Sequence, residues 1–408
     1  MNMKKYDVVI IGGGPAGSIA AAKLNKTGCS VLILEKSQFP RFVIGESLLP
    51  QCMDYLKELD LLDTVSKEGF QVKTGACFFH NERTCEFNFE EQYTKGWDYT
   101  YQVKRADFDQ ALIQAIEDRG VEIEYQATVT NFKGSRDHQC ITYTNKNGNQ
   151  KQVESNFVVD ASGFGRVLPR LLDLSTNTTS VPRGAVYSHF SDNNKPNGAS
   201  NNIYVHSFNE NTAWVWSIPF SDETASVGIV GNEEFIHECA KEDGKKFKEL
   251  ITTFPMLEKR FSAAKALMPV KTTMNYAKGV KQLYGDGFVL CGNATEFLDP
   301  IFSSGVTLAM ASGYKAAELI AEEIQNKSAD WEEYSSFVYH GVDVFRSYVN
   351  AWYEGTLPSI FFASKINEDY KKQICSVLAG YVWDESNPFV KKHENILDTL
   401  AKVISFQN

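Results

Sequence analysis

"YDVVIIGGGPAGSIAAAKLNKTGCSVLILEK", residues 6–36, reads as strand, turn, helix, strand. Val8 to Ile11 form an unbroken apolar run, as in a parallel strand buried on both faces. Gly12, Gly14 and Gly17 then supply G-x-G-x-x-G. The first glycine allows a tight turn, the second lets a pyrophosphate approach the backbone, and the third lets helix and strand pack closely. A helix from about Pro15 to Lys26 points its first N–H groups at the phosphates, and Thr27-Gly28 ends it. The next strand, Val31 to Leu34, stops at Glu35, 23 residues after Gly12, where a carboxylate accepts bonds from ribose hydroxyls. The fingerprint by itself does not separate FAD from NAD.

The same letters resemble a signal peptide, with early lysines, an apolar run and small residues. Gly12 to Pro15 break that run in two, so strand–turn–helix is the better account. No uninterrupted apolar run reaches 18 residues, and no transmembrane helix is expected. The chain has 408 residues, 43% hydrophobic and 23% charged, as in a soluble globular protein of two domains or of one large domain with an appendage. A net charge of -10 leaves no basic surplus to neutralise phosphates, which argues against nucleic acid. The eight cysteines are scattered, without a C-x-x-C pair, so neither a metal site nor a disulfide framework is expected and a reducing cytoplasm is the simplest home.

The later chain repeats the strand-to-loop pattern without a second fingerprint. "FVVDASGFGRVLPRLL" from 157 is a strand that stops at Asp160 and enters a turn at Gly163 and Gly165. "GDGFVLCGNATEFLDPIFSSGVTLAMASGYKAAELIAEEI" from 285 is a strand, a loop and a long helix opened by Ser303, Ser304 and Gly305. One dinucleotide and no separate NAD(P)H domain are expected. "NIYVHSF", "AWVWSIPF" and "ASVGIVG" read as antiparallel strands between 202 and 231, and Asn147-Gly148 as a hairpin turn. "SDNNKPNGASNN" at 191–202 reads as a polar loop. The fold class is α/β (α+β). A dinucleotide-binding Rossmann-like βαβ unit spans 1–75, 100–180 and 270–330, a substrate-side antiparallel sheet spans 76–99 and 181–269, and an aromatic-rich helical region, read as a lid, spans 331–408.

One lysine stands apart. In "GFQVKTGACFF", 69–79, Lys73 sits among Phe70, Val72, Phe78 and Phe79, soon after "GESLLP" at 45–50. It reads either as a solvated strand residue or as an amine kept in apolar company for chemistry.

Together these stretches resemble the FAD-dependent monooxygenase superfamily, and within it the flavin-dependent halogenases. "GGGPAGS" at 12–18, "GESLLP", "FQVKTGA" at 70–76, "WVWSIP" at 214–219 and "DPIFSSGVTLAM" at 299–310 carry that resemblance, from about residue 5 to about 325. "WYEGTL" at 352 and "LAGYVWDESNPFV" at 378 resemble tails of the phenol-acting branch more loosely. The resemblance implies an essential lysine at Lys73. It implies flavin contacts at Gly12, Gly14, Ala16, Gly17, Glu35, Lys36, Ser47, Arg105, Asn293, Asp299, Gly305 and Val306. It also implies a halide site at the backbone N–H groups of Ser304 and Gly305, and a substrate-side wall or tunnel of Trp214, Trp216, Ile218, Pro219 and Phe302.

Two departures stand out. Gly292-Asn293-Ala294 replaces the usual G-D-A, and Phe302 stands where tryptophan halogenases carry a glutamate. The second favours a phenol, resorcinol or pyrrole over an unactivated indole. The resemblance further implies FADH2 from a separate reductase, O2, chloride or bromide, a flavin hydroperoxide, hypohalous acid, and transfer through Lys73 to a ring that is free or tethered to a carrier protein. The rival readings are a reductase of isoprenoid double bonds, an aromatic hydroxylase of the same fold, and a non-enzymatic flavin-binding module.

Overall fold

The computed structural model describes residues 4–135, 138–176, 182–195, 200–275, 278–325 and 327–407. Residues 196–199 of the expected 191–202 loop therefore lie outside the described residues. An eight-stranded sheet is built around Lys5–Ile11, flanked in parallel by Gln150–Asp160 and Val31–Glu35. Phe288–Leu290 and Glu122–Tyr125 extend it in parallel on either side. Val8, Val9 and Ile10 are fully buried, as a strand covered on both faces requires. The helix Pro15–Lys26 packs against the long helix Ser304–Ile324. A Cβ on Gly313 of the long helix would lie 2.3 Å from the Ala16 carbonyl oxygen, so only glycine permits this approach. The C-terminal ends of the parallel strands bring Ile11, Glu35, Asp160 and Leu290 to one edge, where α/β sheets of this kind bind ligands.

The second sheet has seven strands in the order Lys271–Met274, Arg183–Ser191, Thr224–Asn232, Ala213–Pro219, Ile203–Phe208, Gly75–His80 and Arg83–Asn88. The sequence reading made it antiparallel, but it is mixed. Gly75–His80 runs parallel to Ile203–Phe208, because the two strands come from distant parts of the chain and need no tight turn between them. Lys271–Met274, read as part of the first unit, is an edge strand of this sheet. The hairpin at Asn147-Gly148 forms as expected, between His138–Thr144 and Gln150–Asp160. After residue 330 the chain is helical, beginning with Trp331–Tyr353. Asp330 caps that helix, accepting the N–H groups of Glu332 and Glu333.

Candidate active site

Gly12 adopts φ +99°, and a Cβ there would meet the Ala161 carbonyl oxygen at 2.6 Å. A Cβ on Gly17 would lie 2.0 Å from the Gly12 carbonyl oxygen. Both glycines are thus demanded by the protein's own packing. Gly14 differs: its backbone is extended, and the nearest atom to an added Cβ is Arg41 Nη2 at 3.5 Å. Its bare Cα faces a cavity of about 550 Å³ that runs between the two sheets. Glu35 was expected to face ribose hydroxyls. Its Oε2 accepts the Gly13 N–H at 2.8 Å and its Oε1 the Ser37 N–H at 2.8 Å, so it also clamps the glycine turn while lining the cavity.

Of the residues singled out in the sequence, Gly12, Gly14, Ala16, Glu35, Lys36, Ser47, Arg105, Asn293, Gly305 and Val306 line the cavity, as do Trp214, Trp216 and Ile218. Gly17, Asp299, Ser304, Pro219, Phe302 and Lys73 do not. Gly17 is spent on packing. Ser304 is buried at the first turn of its helix. Phe302 lies in an aromatic cluster with Phe78, Tyr348 and Trp352. Arg105, at the start of the helix Arg105–Glu117, is no surface residue. It is buried, and Asp109 holds it through two hydrogen bonds of 2.8 and 2.9 Å. Ser47 Oγ is buried with no protein partner and lines the cavity, available to a polar ligand.

Trp214 and Trp216 share a face of the strand Ala213–Pro219, with ring centroids 5.8 Å apart. Their indole N–H groups are tied off, Trp214 to Tyr353 Oη at 2.9 Å and Trp216 to Ser226 Oγ at 3.0 Å. They present the cavity with apolar ring surface rather than donors.

Lys73 is 1% exposed. Its apolar company is not quite the one its sequence neighbours suggested. On the short strand Gln71–Lys73, Val72 points outward and Lys73 inward, because successive strand side chains alternate. The amine donates to the Leu48 carbonyl oxygen at 2.8 Å and lies 5.5 Å from the Phe89 ring centroid. Burial pushes its pKa down to about 7. Ser47 and Val306 line the cavity, while Leu48 bonds Lys73 and Thr307 meets Cys52 at 3.2 Å. Lys73 is thus bonded to the chain neighbour of the cavity-lining Ser47 without lining the cavity itself. The C-terminal helical region packs against the segment that holds Leu48. Gln51 N–H donates to the Ala379 carbonyl at 3.1 Å, and Gly380, at φ +97°, packs so closely that an added Cβ would lie 3.2–3.3 Å from Gln51, Leu49 and Thr307.

The family model described as Tryptophan halogenase matches residues 7–92 and 79–367. The chain belongs to this family of flavin-dependent halogenases. The halogenase is 28% identical to a 1H-pyrrole-2-carbonyl-[peptidyl-carrier protein] chlorinase of Pseudomonas fluorescens, with 99% of this chain and 94% of the relative covered. It is 30% identical to the corresponding brominase of Pseudoalteromonas luteoviolacea, with 93% of each covered. Among solved structures, it resembles a flavoprotein/dehydrogenase from Cytophaga hutchinsonii at 44% identity and a TM-score of 0.96, covering 99% and 100% of the two chains. It resembles the flavin-dependent brominase Bmp2 at 27% identity and a TM-score of 0.85, again covering 99% and 100%.

Sequence reasoning missed several residues of the halogenase cavity. Arg41 reaches Asp109 at 2.9 Å and Glu35 at 3.8 Å, joining the dinucleotide turn to the Arg105 helix. Glu46 pairs with His189 at 2.7 Å across 143 positions, and its other carboxylate oxygen has no protein partner. Glu46 was quoted within "GESLLP", but nothing local to His189 announced the pairing. Tyr187 and Thr273 complete the wall from two strands of the second sheet. The clamp by Glu35 yields a prediction. Glu35→Ala orphans the Gly13 and Ser37 N–H groups, so flavin titration followed by absorbance should show affinity weaker by roughly tenfold or more, at about 1–3 kcal/mol per unpaired buried group. Unchanged affinity would mean that the turn holds its shape without the carboxylate.

Proposed function

We propose that this halogenase binds FAD in the inter-sheet cavity and, with FADH2, O2 and chloride or bromide, halogenates an electron-rich aromatic ring, with Lys73 carrying the transfer step. The residues present fit the cofactor. The extended Gly14 leaves open the space a Cβ would fill, the N-terminus of the helix Pro15–Lys26 suits a pyrophosphate, and the unpaired Ser47 Oγ offers a polar contact. When bound, the reduced flavin activates dioxygen and supplies the oxidation that turns halide into hypohalous acid.

The chain's own groups support the remaining steps. Gly305, near the N-terminus of a 21-residue helix, lines the cavity, and a helix N-terminus suits a halide ion. Trp214 and Trp216 cover the cavity on the second-sheet side, which favours keeping an aromatic substrate away from the oxidant source and weighs against a hydroxylase. The observation that carries the reading is Lys73, a fully buried amine with its pKa pushed down to about 7 and bonded to Leu48, the neighbour of the cavity-lining Ser47. Its neutral form is a nucleophile able to take up halogen from hypohalous acid, releasing water. Its charged form donates a hydrogen bond that makes the acid more electrophilic. The substrate class comes from the relatives, whose names specify a pyrrole-2-carbonyl group on a peptidyl carrier protein. We extend it to pyrroles, phenols and resorcinols, free or carrier-tethered. The helices after residue 330 serve as the lid, supported by the contacts of 379–380 with 49–51. A separate cytoplasmic reductase supplies FADH2, consistent with a single dinucleotide fingerprint. Among the described residues no helix is long and apolar enough to cross a membrane.

Mass spectrometry of a pyrrole and phenol panel incubated with protein, reduced FAD and halide tests the reading, and halogenated product is expected. The protein with oxidised FAD and NADH but no reductase should consume NADH negligibly. Rapid NADH oxidation without halogenated product would instead favour the reductase reading.

A further inference from the structure

Asp299 was assigned to the flavin by resemblance, yet it is not among the residues lining the cavity, and two of its hydrogen bonds are made within the protein. Its Oδ1 accepts the Ile301 N–H at 3.2 Å, capping the turn Pro300–Phe302. Its Oδ2 accepts the Tyr353 hydroxyl at 2.9 Å. The same Tyr353 oxygen accepts the Trp214 indole N–H at 2.9 Å. One phenol oxygen thus joins three elements distant in sequence: the end of the helix Trp331–Tyr353, the tryptophan strand and the 299–302 turn.

That turn leads directly into the halide end of the long helix. Ser303 takes a left-handed conformation, φ +58°, and redirects the chain into Ser304–Ile324, with Ser303 and Gly305 both lining the cavity. The Tyr353 ring is itself held. The Arg183 guanidinium carbon lies 3.4 Å from its centroid, and Arg183 is fixed by a 2.7 Å bond to the Thr212 carbonyl. Burial, and then the neighbouring Asp299 carboxylate, push the phenol's pKa upward, so the hydroxyl stays protonated and donates to Asp299.

We propose that Tyr353 is a positioning residue that fixes the 299–305 segment relative to Trp214 and thereby sets the halogenase's affinity for halide. The inference rests on the reading of the Ser304–Gly305 helix end as the halide site. A phenol hydroxyl offers one donor and can accept, and here both capacities are used. Tyr353→Phe removes the hydroxyl alone, leaving the ring and its Arg183 contact. It removes one hydrogen bond from the Asp299 carboxylate on the turn and the partner of the Trp214 indole N–H on the wall, both in buried residues. The 299–302 turn then loses its bond to the Trp331–Tyr353 helix, and the cavity-lining Ser303 and Gly305 that follow it lose that restraint.

The test uses full-length protein loaded with FAD. Chloride is titrated against the absorbance of the bound oxidised flavin to obtain a Kd, and initial halogenation rates against chloride give KM and kcat. Tyr353→Phe is expected to raise chloride Kd and KM together by roughly tenfold, with a smaller change in kcat. Trp214→Phe, which breaks one of the two bonds, should raise them less. The double variant should be no worse than Tyr353→Phe, because both changes act through one oxygen. Unchanged chloride Kd and KM in Tyr353→Phe, even with a lowered Tm, would overturn the proposal, and so would fully additive shifts. Should Tyr353→Phe fail to fold or to retain flavin, Trp214→Phe decides: an unchanged chloride affinity there overturns it. A wild-type protein that shows no response to chloride would sink the halide-site reading itself, and this inference with it.

Discussion

Lys73→Ala is expected to lower halogenation by roughly 10²–10⁴-fold while reduced flavin is still oxidised by dioxygen, the range that loss of one positioned acid–base or nucleophilic group usually produces. The separation follows from geometry: Lys73 does not line the cavity suited to the flavin and is bonded instead to Leu48, next to the cavity-lining Ser47. Halogenated product by mass spectrometry and oxygen uptake, measured on the same samples, check it. Lys73→Arg should fail as well, because guanidinium stays charged and is too bulky for the space beside Phe89. Near-wild-type halogenation by Lys73→Ala would make Lys73 a structural residue.

The amine also carries a pH signature. Its pKa drops from an ordinary 10.5 to about 7 on folding, so between those values the unfolded chain binds the extra proton and folding stability rises with pH. The cost of burying Lys73 therefore grows as pH falls from 10.5 toward 7 and is constant below. Lys73→Met should be more stable than wild type at pH 6, and the difference in Tm should shrink steadily toward pH 10. If the free amine is the working form, halogenation should rise through about pH 7. A Tm difference independent of pH would mean that the amine is solvated or ion-paired in the folded protein.

Gly14→Val and Gly17→Val should separate ligand space from packing space within one fingerprint. Gly14 has an allowed extended backbone and open surroundings, so valine there should cost about 1 kcal/mol as a poor N-cap and lower Tm by a few degrees. It fills the cradle, however, and flavin absorbance should show no binding at about 100 times the wild-type Kd, a loss above roughly 2.7 kcal/mol. Gly17→Val drives a side chain into the Gly12 carbonyl, 2.0 Å from an ideal Cβ, and should destabilise the protein by about 1–3 kcal/mol or more even without flavin. Calorimetry and flavin titration on both variants decide. Normal FAD binding by Gly14→Val would remove the pyrophosphate from this turn.

The dinucleotide half of the fold was legible because its signals are local. The apolar run at Val8–Ile11, the glycine spacing and the carboxylate at Glu35 lie within 30 residues, and the strand and helix bounds follow them closely. The tryptophan strand was legible for the same reason, since a spacing of two decides which side chains share a face. The burial of Lys73 was suggested by its neighbours but decided elsewhere. Val72, one of those neighbours, is exposed, and the enclosure comes from Leu48, Cys52 and Phe89. The parallel pairing of Gly75–His80 with Ile203–Phe208, the Glu46–His189 pair and the junction at Tyr353 join positions more than 50 residues apart. Periodicity and motif spacing record what a residue does within its own element. Which distant element supplies its partner is set by how the two sheets and the C-terminal helices pack, so only the tertiary structure decided those contacts.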